Sequence, residues 1–169
     1  LPHRQFYPNQ MFDWADKVMA GTSVILNELE RITDSAGFEP YLQRHQQGPT
    51  GRVHSLLDSD EWQALFLIKD GKRVNQYADM CTETLEILNN VPLAEVPGRG
   101  PMILFSRLNP GGHIAPHNGF FNTRLICHLP LVVPPNCSLR VGNETRDWRK
   151  GELMIFDDSI EHEAWNRSN

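Results

Sequence analysis

The stretch GGHIAPHNGFFNTRLICHLPL, residues 111–131, sets His113, His117 and His128 around a pattern of strand, turn and strand. A fourth histidine, His162, stands later in GELMIFDDSIEHEAW. Imidazole is the commonest protein ligand for transition metals, and two of them with one carboxylate make the facial triad that holds non-haem iron with open positions. His117 and His162 each sit at the edge of an expected strand, so they are the candidate pair of ligands. The sequence His117-Asn118-Gly119 has the outline of the triad's first arm, with glycine where the carboxylate normally stands. Imidazole does not by itself select iron, since zinc, copper and nickel accept it too. A histidine that only caps a turn or packs in a core is the competing account of each. His113 lies four residues before His117, on the same strand face but too far along it to share a metal, and is expected to pack or to line the pocket.

These residues need a scaffold. The chain has 169 residues, enough for one domain with a real core, and its 40% hydrophobic and 22% charged content is that of an ordinary soluble protein. A net charge of −5 argues against a general nucleic-acid binder. No run approaches the roughly 18 apolar residues that cross a bilayer, and LPHRQFYPNQ lacks the apolar core of a signal peptide. A cytoplasmic location is therefore expected, although a chain opening on Leu1 admits a missing upstream segment. Cys81, Cys127 and Cys137 form no CxxC pair and read as buried or idle thiols. Asn136, Asn143 and Asn166 fall in N-x-[ST] sequons, which carry little weight without a secretory signal.

The texture divides near residue 97. Before it, Trp14, Val18, Ile25, Leu29 and Ile32 recur at helical spacing and predict a helix over 13–32. A second helix is expected over 78–88, with Cys81, Leu85 and Leu88 inward, ending before Pro92. WQALFLI, residues 62–68, followed by Lys69-Asp70-Gly71-Lys72, reads as a buried strand and hairpin. The polar stretch 37–55 reads as a surface loop. From Pro101 onward short strands are expected over 102–108, 113–117, 124–133, 138–141, 153–156 and 162–166, separated by turn formers such as Asn109-Pro110-Gly111-Gly112 and Pro134-Pro135-Asn136. Strands at such even spacing point to a sandwich, barrel or jelly roll.

Taken in order, HIAPHNGFFNTRLICHLPLVVP, VGNETRDW and GELMIFDDSIEHEAW resemble the aspartyl/asparaginyl β-hydroxylase family of 2-oxoglutarate-dependent dioxygenases. The resemblance is strongest over 103–165, and upstream RQFYPNQMFDWA and WQALFLIKDG fit its bacterial members. It implies a mainly β fold, a double-stranded β-helix (jelly roll, cupin-like) with helices of the N-terminal half packed on it. Residues 1–169 would form one dioxygenase domain, 1–97 its helical and mixed part and 98–169 the jelly-roll core, cut short at its C-terminus.

The resemblance further implies Fe(II) on His117 and His162, with Gly119 leaving a coordination position for water and Asp158 close to the metal. For Asp158 the competing account is an Asx turn after Phe156; Asp157, Glu161 and Glu163 are expected to be solvated turn residues. Ser106 and His128 match family residues that contact 2-oxoglutarate, the co-substrate used with O2; a strand hydroxyl bonded to backbone and a half-buried strand residue are their plainer readings. Three departures stand out. The basic residue usual two positions before that histidine is Ile126 here, while Arg124 shares its strand face and is expected to reach the same space. A pocket aromatic of the animal enzyme falls at about Ile68. The arginine that clamps the far carboxylate falls past Asn169, and Arg167 is too early to replace it. The implied activity is hydroxylation of an Asp/Asn-like or other small side chain, free or in a peptide, with release of succinate and CO2, and Arg107 and Arg124 are candidate anchors for a substrate carboxylate. The alternatives are a halogenase that uses the vacancy at Gly119, and a non-catalytic cupin-like module.

Overall fold

The change of texture near residue 97 is a change of architecture. In the computed structural model, which describes residues 3–33, 37–41, 59–119 and 121–169, all helices precede residue 97 and antiparallel strand pairing dominates the remainder of the chain. The first part runs β1 (Phe6–Tyr7), a 3-10 turn (Asn9–Met11), α1 (Ala15–Ala20), α2 (Thr22–Thr33), β2 (Glu39–Pro40), β3 (Trp62–Lys69), β4 (Lys72–Arg73), α3 (Asn75–Ala78) and α4 (Thr82–Leu88). The second part is β5 (Ile103–Leu108), β6 (His113–His117), β7 (Ile126–His128), β8 (Cys137–Val141), β9 (Glu144–Asp147), β10 (Met154–Phe156) and β11 (His162–Asn166).

The helix expected over 13–32 is broken at Gly21 into α1 and α2. A Cβ there would lie 2.7 Å from Ile87 Cδ1, so glycine lets the turn pack onto α4, and Thr22 Oγ1 donates to Met19 O (2.6 Å) across the break. The inward positions hold: Val18, Ile25 and Ile32 are buried, with Trp14 and Leu29 packed against them. The second helix starts earlier than expected, at Asn75, and is interrupted before Thr82. Cys81 is buried as expected and Thr84 unexpectedly so, while Leu85 and Leu88 are half-buried. Buried Glu28 of α2 explains the spacing, because its carboxylate accepts from the backbone N–H groups of Glu83 (3.2 Å) and Thr84 (2.7 Å) at the start of α4.

The β3–β4 hairpin turns on Asp70 (φ 51°) and Gly71 (φ 77°), both left-handed as a type I′ turn requires. In place of the loop expected over 37–55, Glu39–Pro40 pairs with Ala64 and Gln63; positions 42–55 lie outside the described residues. β9 was not expected, because Glu-Thr-Arg-Asp has no apolar alternation; it is an edge strand with largely exposed side chains. The strand expected over 124–133 is realised only over Ile126–His128, paired on one edge with β10.

Three sheets result: β1–β10–β7, β6–β11–β8–β9, and β3 flanked by β2, β4 and β5. The first two bury one core between them, built from Phe6, Ile114, Leu139, Val141, Met154, Phe156 and Ala164. On β3, Leu65 and Leu67 face the helices with Phe105, Ile25, Ile32 and Cys81, while Trp62 turns to the other core. Cys81 and Cys137 are buried, Cys127 is exposed, and none forms a disulfide.

Candidate functional site

A bulge on β6 brings the two candidate ligands together. His162 pairs with His117, but Ala164 pairs with Ile114, so β6 spends three steps where β11 spends two. The extra residue lets Ile114 enter the core and His117 still face His162. The imidazole centroids are 4.1 Å apart at 54°. Each ring is fixed in the same way, His117 Nδ1 against Ala115 O (2.8 Å) and His162 Nδ1 against Ile160 O (2.9 Å), the carbonyl two residues earlier in both cases. A carbonyl only accepts, so both Nδ1 atoms carry the proton and each Nε2 is left as the acceptor, the tautomer a metal ligand needs. Burial, then the neighbouring His117, holds His162 below the usual imidazole range, which keeps it neutral and able to ligate.

Gly119 is occupied space rather than a vacancy. A Cβ on it would lie 2.2 Å from Asp158 Oδ2 and 2.4 Å from Asp158 Cγ, and Gly119 N–H donates to Asp158 O at 2.6 Å. The carboxyl group missing from position 119 is thus supplied to nearly the same place by Asp158. That residue is 4% exposed; its Oδ2 accepts from Arg124 Nη2 at 3.0 Å, and its Oδ1 is buried with no protein partner. The Asx turn belongs instead to Asp157, whose Oδ1 accepts from Ser159 N (2.9 Å) and Ser159 Oγ (2.6 Å), and which is buried rather than solvated. Glu161 and Glu163 pair with Arg140 on the outer surface.

With Ile126 among its other lining residues, one cavity of about 530 Å³ is lined by the residues expected to meet a co-substrate, Ser106, Arg124 and His128. Each reaches the histidine pair through one intermediary. Ser106 Oγ accepts from Trp62 Nε1 at 3.0 Å, not backbone as in its plainer reading, and the Trp62 ring lies 6.3 Å from that of His117. His128 and His162 both meet the edge or face of Phe156, at 5.1 and 5.6 Å. Arg124 joins through Asp158, so its charge is already shared, a partner not foreseen. Burial, with His162 nearby, lowers the His128 pKa to about 4.

Other expectations do not survive. His113 is exposed, stacks on Trp165 (5.4 Å) and bonds Glu163 Oε2 (3.0 Å), so it neither lines the pocket nor packs inward; the bulge turns it away from His117. Arg107 alternates with Ser106 to the opposite sheet face, where it bonds Gln63 and lies over Phe38. At Ile68, where the pocket aromatic of the animal enzyme falls, the wall differs as expected, and Ile68 is not among the lining residues. The aromatic wall comes from Trp62 and Tyr41, stacked at 4.1 Å. Neither was expected at the site, because only the pairing of β3 with β5 and the stacking of Tyr41 bring them there.

Residues 20–169 match the family described as Aspartyl/Asparaginyl beta-hydroxylase. The chain belongs to this family. Over 66% of its length it is 38% identical to human aspartyl/asparaginyl beta-hydroxylase, covering 15% of that protein. Over 96% of its length it is 30% identical to the ornithine lipid ester-linked acyl 2-hydroxylase of Rhizobium tropici, covering 56% of it. It is also 32% identical, over 72% of its length, to aspartate beta-hydroxylase domain-containing protein 2 of Xenopus tropicalis, covering 33% of that protein. The chain thus spans about half of the Rhizobium relative and less of the animal ones. No helix among the described residues is long and apolar enough to cross a membrane.

Proposed function

We propose that this chain is an Fe(II)- and 2-oxoglutarate-dependent dioxygenase that hydroxylates an Asp/Asn-like or other small side chain, free or in a peptide. The observation that carries the reading is the matched histidine pair, with both Nδ1 atoms bonded to carbonyls and the two rings 4.1 Å apart. The arrangement of β6–β11–β8–β9 and β1–β10–β7 over a shared core supports the double-stranded β-helix that the family resemblance implies. His117 and His162 would hold the iron through Nε2. Iron, once bound with 2-oxoglutarate and O2, supplies the oxidising power, and succinate and CO2 are released.

The remaining residues orient and exclude. Asp158, locked against Gly119 and Arg124, offers Oδ1 as the acceptor for a water or ligand hydrogen beside the histidines. Ser106, Arg124 and the neutral His128 would meet the co-substrate as hydroxyl, cation and imidazole from one cavity wall. Phe156 and Trp62 fill the space around the imidazoles and keep bulk water from them. A halide site is disfavoured, because Asp158 already occupies the room that Gly119 leaves. The name of the Rhizobium relative adds a lipid acyl chain as a second substrate class to screen.

The test is anaerobic titration with Fe(II) and 2-oxoglutarate, following the weak visible charge-transfer band of the chelate. The band is expected with the native chain and lost in both His117→Ala and His162→Ala. A band that survives either substitution refutes the ligand assignment.

A further inference from the structure

The turn between β10 and β11, Asp157-Asp158-Ser159-Ile160, reaches both histidine-bearing segments through its backbone. Three successive carbonyls make the connection. Asp158 O accepts from Gly119 N–H (2.6 Å), Ser159 O from Asn118 Nδ2 (2.9 Å), and Ile160 O from His162 Nδ1 (2.9 Å). The first two fasten the residues directly after His117, and the third fixes the ring of His162 itself. All three directions follow from the shape of one turn. Aspartate locks such a turn by bonding the backbone two residues further on.

We propose that Asp157 is a positioning residue for the histidine pair, the side chain that gives this turn the shape its three carbonyls need. Its Oδ1 accepts from Ser159 N–H (2.9 Å) and from Ser159 Oγ (2.6 Å), and its own carbonyl accepts from Ile160 N–H (3.3 Å). Asp158 is not available for this task, because its carboxyl group is committed to Arg124 and to the space beside Gly119. Asp157 is 6% exposed, and a buried carboxylate is costly unless donors meet it. The second oxygen is met from the other side, where His3 Nδ1 lies 3.3 Å from Oδ2. Asp157 N–H also donates to Gln5 O at 3.2 Å. The N-terminal arm reaches the turn because Phe6 and Tyr7 pair with Phe156 and Ile155 of β10. A chain of bonds thus runs from His3 through Asp157 and Ser159 to Asn118, beside His117. The inference rests on the proposed reading of His117 and His162 as metal ligands.

The experiment reads the two imidazoles separately. Long-range proton–nitrogen correlation spectra of the metal-free protein, at about pH 8, report which nitrogen of each neutral ring carries the proton. Asp157→Ala is expected to move His162 from the Nδ1–H form to a mixture of the two forms. His117, held by Ala115 O within its own strand, should keep its form, which a general loss of structure would not allow. Co(II) affinity, followed by visible absorption, should fall about 10–100-fold in the same variant. Asp157→Asn keeps Oδ1 as an acceptor and should match the native protein in both readouts. Asn118→Ala, at an exposed side chain, cuts only the bond to Ser159 O and should weaken Co(II) without moving either tautomer. An unmoved His162 in Asp157→Ala, movement of both rings, or Asp157→Asn behaving as Asp157→Ala overturns the inference. Native Co(II) affinity in Asn118→Ala does so even where Asp157→Ala fails to fold. Co(II) binding that survives both His117→Ala and His162→Ala refutes the ligand reading instead, and the His162 tautomer then decides the role of Asp157 alone.

Discussion

At the scale of single residues, the contact between Gly119 and Asp158 governs the site. Position 119 needs glycine for space, since any side chain meets the Asp158 carboxyl group at 2.2–2.4 Å. Gly119→Ala is therefore expected to expel Asp158, lower the melting temperature and weaken Fe(II) binding by about 10–100-fold, the usual effect of losing a residue that supports a metal ligand. Adding Asp158→Ala should restore the melting temperature but not the affinity, because the clash is removed and the acceptor is not returned. Calorimetry and Fe(II) titration of the three variants separate the two effects; additive losses would show that the residues act independently. The family resemblance in the sequence had singled out Asp158. Its fit against Gly119 was not legible there, because the two meet only when the turn after β10 folds over the end of β6.

At the scale of elements, α4 is held by a group from another helix. Glu28 is 2% exposed, accepts two N–H groups at the start of α4, and lies 3.6 Å from Arg31 Nη2. Four N–H groups at a helix start have no partner within the helix, and a carboxylate there also meets the positive end of the helix dipole. Glu28→Ala should cost about 2 kcal/mol in chemical denaturation, and Glu28→Gln, which keeps one acceptor, clearly less. An equal loss in both would assign the effect to packing alone. The helical period marked α2 and α4 as elements but could not reveal this bond, since its partners lie 55 and 56 residues further along the chain. Strands with apolar alternation were legible for the same reason the helices were. Polar β9 escaped because hydrogen bonding to β8, not burial, defines it.

At the scale of the whole molecule, His128 couples folding to pH. Its pKa of about 4 in the fold lies below the ordinary 6.5, so between these values the unfolded chain binds a proton that the folded chain refuses. Its contribution is complete above pH 6.5 and falls away as the pH drops towards 4. His162, also held low by burial, acts in the same direction. The metal-free protein should lose several degrees of melting temperature across that window, and His128→Phe should flatten the profile. A parallel profile in the variant would place the sensitivity elsewhere.

The sequence by itself determined the elements and the cast: a helical first part, a β-rich second part, and His117, His162, Asp158, Ser106 and His128 as the residues to watch. The elements and the histidine pair are read from period, turn chemistry and motif, all of which act over short spans of chain, while Asp158, Ser106 and His128 are what the family resemblance implies. Tertiary structure decided what they touch. The bulge that turns His113 outward while pairing His117 with His162, the claim of Asp158 on both Arg124 and the space of Gly119, and the aromatic wall of Trp62 and Tyr41 all depend on register between distant segments. Register follows from which apolar faces bury one another, and that balance is struck only when the whole core closes.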